Sequence, residues 1–408
     1  MEHVQYDKGF LAHLVRRVQS TSSLHFGVLI GEVSSAGILV VRASPVPTQD
    51  CGDVSQTLRN ILHGGAGEPF KLALAEHAKK VRAVLVGGLA ILGVFAVAEE
   101  SEIPALGVIA KSITDLSILA GFPLVLVLSR IAGTFSFRTP TSTRWDKFRA
   151  LASKPLRLTD ACLLVASTPV DITVPHEPSD EASLSAAVEN ALLDQYGGAP
   201  VLLRAAGSSA AGVIKEPLCT DTLPVSVHSS LIEADFLLPC TSLVLPGNGS
   251  FRIRARVSAL AWARTGRRCC DIFDVLVRDL AATVSCRVHE ALCDEELRKA
   301  VLRPPASAVT VNLRPRLLRE HRCEGACSVP FALASNEDGI SLHALLGIGG
   351  ELHEFVDSAL VSEEVASEKL HDAIPVAKCR TVFFDFKILI AVFACCVAIS
   401  VAIFWKPV

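Results

Sequence analysis

The far end of the chain is its most constraining feature. Residues 388–405 read ILIAVFACCVAISVAIFW, an uncharged apolar run bracketed by Lys387 and Lys406. At about 1.5 Å per residue a helix of this length spans roughly 27 Å, close to the hydrocarbon thickness of a bilayer. A buried core helix would carry a polar face, and here only Ser400 breaks the pattern. The run is therefore expected to be a transmembrane helix anchored by Ile388, Phe393, Val397, Phe404 and Trp405, with the Trp405 ring at the headgroup layer. Three residues follow it, and the first twenty (MEHVQYDKGFLAHLVRRVQS) carry charges throughout with no export signal. The expectation is a single-pass tail anchor with the body in the cytosol, which Lys378, Arg380 and Lys387 on the near side favour. The sequon at Asn248, Gly249 and Ser250 should then carry no sugar.

A chain of 408 residues is too long for one core, so two domains are expected before the anchor. With 39 basic and 42 acidic residues the net charge is −3, which argues against a chain that coats nucleic-acid phosphate. Thirteen cysteines, an odd number and a small share of the chain, fit a reduced compartment and mostly buried thiols. Cys323 and Cys327 lie near His321, but no second Cys/His pair completes a zinc site. No cofactor is expected.

Along the body, helices and strands alternate, giving an α/β (α+β) fold class. Phe10, Leu11, Leu14, Val15 and Val18 have the spacing of an amphipathic helix. Two β-rich runs, 26–33 and 37–43, flank a short turn, and proline stops the second. Residues 48–67 read as a polar loop and 68–84 as a helix. The uncharged run 85–98 holds three glycines and is too short to span a bilayer, so it is expected to be a buried central strand. Strands at 122–129, 133–138 and 163–174 complete this set, and the acidic stretch 176–185 reads as a linker. A second half follows, with a helix at 184–196 and strands at 200–203, 241–245 and 251–260. Next are a long helix at 271–299, a strand at 309–313 and a basic stretch ending at Arg322. Residues 341–360 look helical and 361–387 read as a stalk.

The order helix, GVLIG strand, turn, strand ending in PVP, long helix and LGVF strand resembles the start of an MPN domain. That fold serves the JAMM zinc isopeptidases and their inactive scaffolding relatives. FGVLIGEVSS (26–35) together with AEHAKKV and VGGLAILGVFAV (75–97) is similar to the odorant-response-abnormal-protein-four family, tail-anchored proteins of the endoplasmic reticulum. The resemblance implies an MPN-like domain over 1–175, a linker and helix over 176–198, a second α+β domain over 199–360, a stalk over 361–387 and the anchor at 388–405. It also supplies a register for the JAMM site. The two histidine positions fall at Ala96 and Ala98, the aspartate near Ile109 with its serine near Leu106, and the glutamate at Leu24. None of these side chains can ligate a metal or take a proton from water.

Other chemical readings are weaker. His63 to Gly67 lacks the Lys-Ser/Thr of a phosphate loop. Cys51 has no base that can be placed beside it, His63 and His77 included. Asp271, Asp274, Arg278 and Asp279 read as the solvated face of the long helix. Arg252, Arg254 and Arg256 share one strand face, most simply an ordinary exposed sheet face and alternatively a surface for an acidic partner or anionic headgroups, and Arg264, Arg267 and Arg268 follow it.

The expected function is a non-enzymatic membrane adaptor. By the resemblance, its partners are the ubiquitin-fold-modifier protease, a cysteine enzyme met as a heterodimer through MPN-like domains, and polytopic receptors assisted toward export. Two alternatives remain open, a lipid-surface tether and a hydrolase with an unrecognised site, and the anchor alone does not separate endoplasmic reticulum from mitochondrial outer membrane. Deleting residues 387–408 is expected to release the chain from sedimenting membranes. Retention of the truncated chain on anionic vesicles in flotation would instead assign lipid binding to the body, with Arg252, Arg254 and Arg256 as its first candidates.

Overall fold

A short strand opens the molecule, β1 (His3–Asp7), and its last residue starts the first helix, α1 (Lys8–Ser20). The Asp7 carboxylate accepts hydrogen bonds from the Gly9 and Phe10 amides at 2.9 and 3.3 Å, satisfying donors that a helix start leaves open. Phe10, Leu11, Leu14 and Val18 are buried on one helical stripe, as their spacing predicts. The computed structural model describes residues 3–20, 26–34, 37–46, 68–98, 124–140, 145–147, 149–153, 161–175, 181–205, 212–222, 231–238, 250–264, 266–302, 309–313, 316–322, 329–334 and 351–354. The anchor run, the stalk, the loop 48–67, the strand expected at 241–245 and the Cys323/Cys327 pair lie outside them.

The expected hairpin is present: β2 (Phe26–Ser34) and β3 (Gly37–Pro45) pair antiparallel from Gly27 opposite Pro45 to Ser34 opposite Gly37. Helix α2 (Glu68–Val84) follows, then β4 (Ala90–Val97), whose residues are almost all buried. The uncharged run is thus a central strand, lying between β2 and β5 (Leu124–Leu128). With β6 (Phe135–Pro140), β7 (Trp145–Lys147) and β8 (Arg149–Ser153), the first sheet has the order β7-β6-β5-β4-β2-β3-β1-β8. One face packs on α1 through Leu29, Val40, Phe95, Leu126 and Phe137. The other packs on α2 through Val28, Ile30, Leu39, Leu74, Ala78 and Val81.

Strand β9 (Ala161–Pro175), read from sequence as completing the first strand set, belongs to a second sheet. Along all fifteen of its residues it pairs antiparallel with β13 (Ser250–Arg264), and these long partners draw it away from the first sheet. The second sheet runs β11-β10-β12-β9-β13-β14, with β10 (Val201–Ala205), β11 (Val213–Lys215), β12 (Leu231–Phe236) and β14 (Val309–Asn312). Its helices are α3 (Glu181–Tyr196) and α4 (Cys269–Ala291). A third sheet, β16-β15-β17, joins β15 (Arg316–Arg322), β16 (Val329–Ala334) and β17 (Glu351–Glu354). The described residues form one compact unit of mixed α+β structure.

Two helical expectations need correction. The helix expected at 271–299 ends at Ala291, and a new helix, α5 (Glu295–Leu302), begins after Asp294, whose carboxylate accepts from the Glu296 and Leu297 amides at 3.0 and 3.1 Å. That capping competes with helix continuation, and neither glycine nor proline marks it. Within 341–360, expected to be helical, residues 351–354 are strand, because they pair with β15 from Arg319 opposite Glu354 to Arg322 opposite Glu351.

The alternation of β9 and β13 sets the core. Cys162, Leu164, Ala166, Ala259, Ala261 and Ala263 face the α3/α4 side, whereas Leu163, Val165, Leu260 and Trp262 join the core of the first sheet and α2. The link between α2 and β4 runs along β13: Gly87 bridges Ala261, and its carbonyl accepts from the Trp262 amide at 2.8 Å. Gly88 has φ +84°, and a Cβ there would sit 2.1 Å from the Trp262 carbonyl oxygen. Both facts demand glycine. Gly88→Ala should therefore lower stability by about 2 kcal/mol or more in urea unfolding. Gly198→Ala, whose added methyl meets nothing within 4 Å, should change it by less than about 1 kcal/mol.

Candidate functional site

The first place to look for chemistry is the end of β4, where the JAMM register puts metal-binding histidines. Ala96 stands opposite Phe26 on one side and Val127 on the other, and the Ala98 amide donates to the Leu128 carbonyl at 3.0 Å. Both alanines are buried within the apolar cluster that holds Val28, Val94, Val125 and Val127. Methyl groups in an apolar cluster can hold neither a metal nor a polarised water. The other register positions, Leu24, Leu106 and Ile109, lie outside the described residues. Nearby, Ser44 Oγ and His77 Nε2 are 2.9 Å apart, a nucleophile-and-base distance. Ser44 is fully buried and His77 nearly so, which leaves no room at the hydroxyl for a substrate carbonyl. The pair serves as a satisfied polar contact between β3 and α2.

Charge is concentrated elsewhere, where β2 meets the end of β13. Glu32 is fully buried: its Oε2 accepts from Arg264 Nε at 2.5 Å, and Arg267 Nη1 lies 2.9 Å from Oε1 as an ion pair without hydrogen-bond geometry. Arg264 also donates to Gln5 Oε1 at 2.8 Å, so three segments distant in sequence converge on one guanidinium. The basic turn expected after β13 is thus largely consumed: Arg264 and Arg267 by Glu32, and Arg268 by Asp271 at 2.8 and 3.0 Å. Burial, reinforced by the Glu32 charge, pushes the neighbouring Cys162 thiol up to about 12, so it behaves as an apolar side chain.

A second buried carboxylate joins the α2–β4 link to the second sheet. Asp279 accepts from the Gly87 amide at 3.0 Å and the Leu260 amide at 2.8 Å. It is buried, not part of the solvated helix face expected for it, whereas Asp274 and Arg278 are exposed and pair at 2.9 Å. The sequence did hold a signal: Asp279 lies three residues after Leu276 and four before Thr283, on the buried stripe of α4. Glu32 had one too, as a lone charge in the apolar run of β2.

The three arginines of β13 do share one face, but Asp171 on β9 engages two of them. Arg252 donates to both Asp171 oxygens, at 2.5 and 2.6 Å, and Arg254 Nε lies 3.4 Å from Oδ2. Arg256 is exposed and donates to Ser167 Oγ at 3.1 Å. They continue the face that carries Leu260 and Trp262, so one strand surface passes from docking patch to partly neutralised basic end. Among the described residues no group of histidine, cysteine and carboxylate side chains could hold a metal ion, and no helix is long and apolar enough to cross a membrane. The anchor residues Ile388, Phe393, Val397, Phe404 and Trp405 lie outside the described residues.

Residues 27–115 match the model of the odorant response abnormal 4-like (ODR4-like) family, a segment holding the β2–β3 hairpin, α2 and β4. No curated protein matches the chain. Among solved structures it is similar to the crystal structure of UfSP from C. elegans, with a TM-score of 0.45 and 10% identity over 90% of this chain. It spans 60% of the length of that protein.

Removing the Glu32 charge should leave two poorly solvated arginines facing each other. Glu32→Gln is expected to cost about 3–5 kcal/mol in urea unfolding, the range for breaking a buried ion pair. Asp274→Asn, in an exposed pair, should cost less than about 1 kcal/mol in the same measurement.

Proposed function

We propose that the chain is a non-catalytic membrane adaptor, a reading supported by the match of residues 27–115 to the odorant response abnormal 4-like family. The observation that carries the non-catalytic part is the apolar filling at Ala96 and Ala98. A hydrolase of the resembling fold would need histidines there, and the surrounding valines leave no polar environment for one. In this reading the first sheet, with α1 and α2, is an MPN-like domain kept for its surface, and β9 to β14 form the core of a second α+β domain. Residues 361–387 are a stalk, and 388–405 hold the body on the endoplasmic reticulum membrane as a cytosol-facing tail anchor.

The proposed partner is the cysteine protease of the ubiquitin-fold modifier, met as a heterodimer through MPN-like domains. Its support is the family relation, whose members are read as recruiting that enzyme to the membrane. A further proposed role is assistance to polytopic receptors during folding and export. Tethering contributes effective concentration: a protease held at the bilayer searches for membrane-bound substrates in two dimensions. Adaptor function of this kind asks for a rigid body, and the buried ion pair at Glu32 and the Asp279 hydrogen bonds supply stiffness between the sheets.

Affinity capture of the full chain from detergent-solubilised membranes tests the reading. The modifier protease should co-purify, and the purified full chain should cleave a modifier fusion only when that protease is added. Cleavage by the chain alone would reinstate the hydrolase. Absence of the protease from the capture would leave receptor assistance as the proposed role.

A further inference from the structure

Outside the regions used so far, three cysteines gather where the edge of the second sheet meets the start of α4. After the short edge strand β11 the chain turns, with the Cys219 amide donating to the Glu216 carbonyl at 3.0 Å. It then runs back against the first residues of α4: Thr222 bridges Arg268 antiparallel, the Cys269 amide donates to the Asp221 carbonyl at 2.8 Å, and the Cys270 amide donates to the Cys219 carbonyl at 3.0 Å. Lys215 and Asp221, 2.7 Å apart, close the turn from the other side. This framework sets Cys219 beside the consecutive Cys269 and Cys270 through backbone hydrogen bonds, and Cys270 Sγ turns toward the Asp271 carboxylate at 3.8 Å, which leaves Cys269 as the candidate partner of Cys219. All three are free thiols.

We propose that Cys219 and Cys269 are a reversible dithiol–disulfide pair that responds to low-molecular-weight disulfides such as oxidised glutathione. Backbone hydrogen bonds hold the two segments side by side, the arrangement from which the close approach of a disulfide is reached with little backbone movement. The exposures assign the order of events. Cys219 is partly exposed and Cys269 is buried, and burial pushes the Cys269 thiol up to about 11. Cys219 is therefore the attacking group: its thiolate displaces one glutathione from the oxidised dimer and leaves a mixed disulfide. Cys269 then gives up its proton and attacks the Cys219 sulfur, releasing the second glutathione. Two protein thiols are oxidised and one glutathione disulfide is reduced to two glutathiones. The product ties the β10–β11 edge of the sheet to the first turn of α4.

Direct mapping in the full chain tests this. The detergent-solubilised protein is reduced, equilibrated in buffers of rising oxidised-to-reduced glutathione ratio, blocked with N-ethylmaleimide and digested with trypsin. A cross-linked pair of peptides 216–252 and 269–278 should accumulate, two hydrogens lighter than their sum, and should disappear on reduction. Peptide 216–252 also contains Cys240, and 269–278 contains Cys270. The pair should therefore survive in Cys240→Ser and Cys270→Ala and fall at least tenfold in Cys219→Ser. Failure to form at any ratio in the unmodified chain would overturn the proposal, as would a cross-link that depends on Cys240 or Cys270. The unmodified chain supplies the primary reading, so a misfolded variant does not blunt the test.

Discussion

Burial of Leu260 and Trp262 against the first sheet is the contact on which the arrangement of the described residues depends. Both sit on β13, whose alternate residues point into a different core packed by α3 and α4. A strand that serves two cores cannot slip by one residue, because a slip would exchange its two faces. It would drive Trp262 among the small residues Ala259, Ala261 and Ala263 that now sit close to the helices. The small side chains on one face and large ones on the other are thus a steric code for which side meets which layer.

Apolar contact is non-directional, so it does not by itself fix the angle or register between layers. Two buried carboxylates supply direction. Glu32 needs two guanidinium groups at defined positions, and those come from the end of β13 and the turn after it. Asp279 needs two backbone donors, one from the α2–β4 link and one from β13. Each would be costly to bury unpaired, so misaligned packings are penalised by several kcal/mol relative to the aligned one, which gives each carboxylate its partners. The close approach of Gly87 and Gly88 to β13 belongs to the same joint, since a side chain there would push the link away from the Leu260 and Trp262 carbonyls.

How far the sequence discloses this structure depends on the range of the interaction involved. The amphipathic stripe of α1, the β2–β3 hairpin, α2 and the buried β4 are local patterns, and they were read correctly from spacing and turn residues. The partner of β9 was not readable, because an apolar alternating strand fits either sheet and only its fifteen-residue match with β13 decides. The break after Ala291 was missed because the apolar four-residue spacing continues through Leu292, while the Asp294 cap acts on amides beyond it. The short β17 was missed since pairing with β15 overrides helical preference over four residues. In the candidate site, Ala96 and Ala98 are legible as apolar residues of a buried strand, and the structure buries both. Local pattern marks Glu32 and Asp279 as buried charges, but the pairing of Asp279 with Gly87, 192 residues away, and of Glu32 with Arg264, 232 residues away, follows only from the fold.

The same packing limits where a partner can bind. The first sheet is covered by α1 on one face, and by α2 with the β9–β13 patch on the other. Binding at its centre would mean dismantling a core. Among the described residues the exposed surface includes charges on α2, α4 and α5 such as Lys79, Asp274, Arg278, Glu295 and Lys299, Arg256 on β13, and the β10–β11 edge. Exposed ion pairs of this kind contribute little to stability, so selection for folding places weak demands on them and they are free to serve recognition. Contacts of that sort are individually weak and sensitive to salt. The proposed membrane anchor would change that balance, because a partner confined to the same membrane would meet these exposed residues at high effective concentration. Modest affinity would then suffice for the proposed recruitment, in a fold whose buried charges are given over to holding its own layers together.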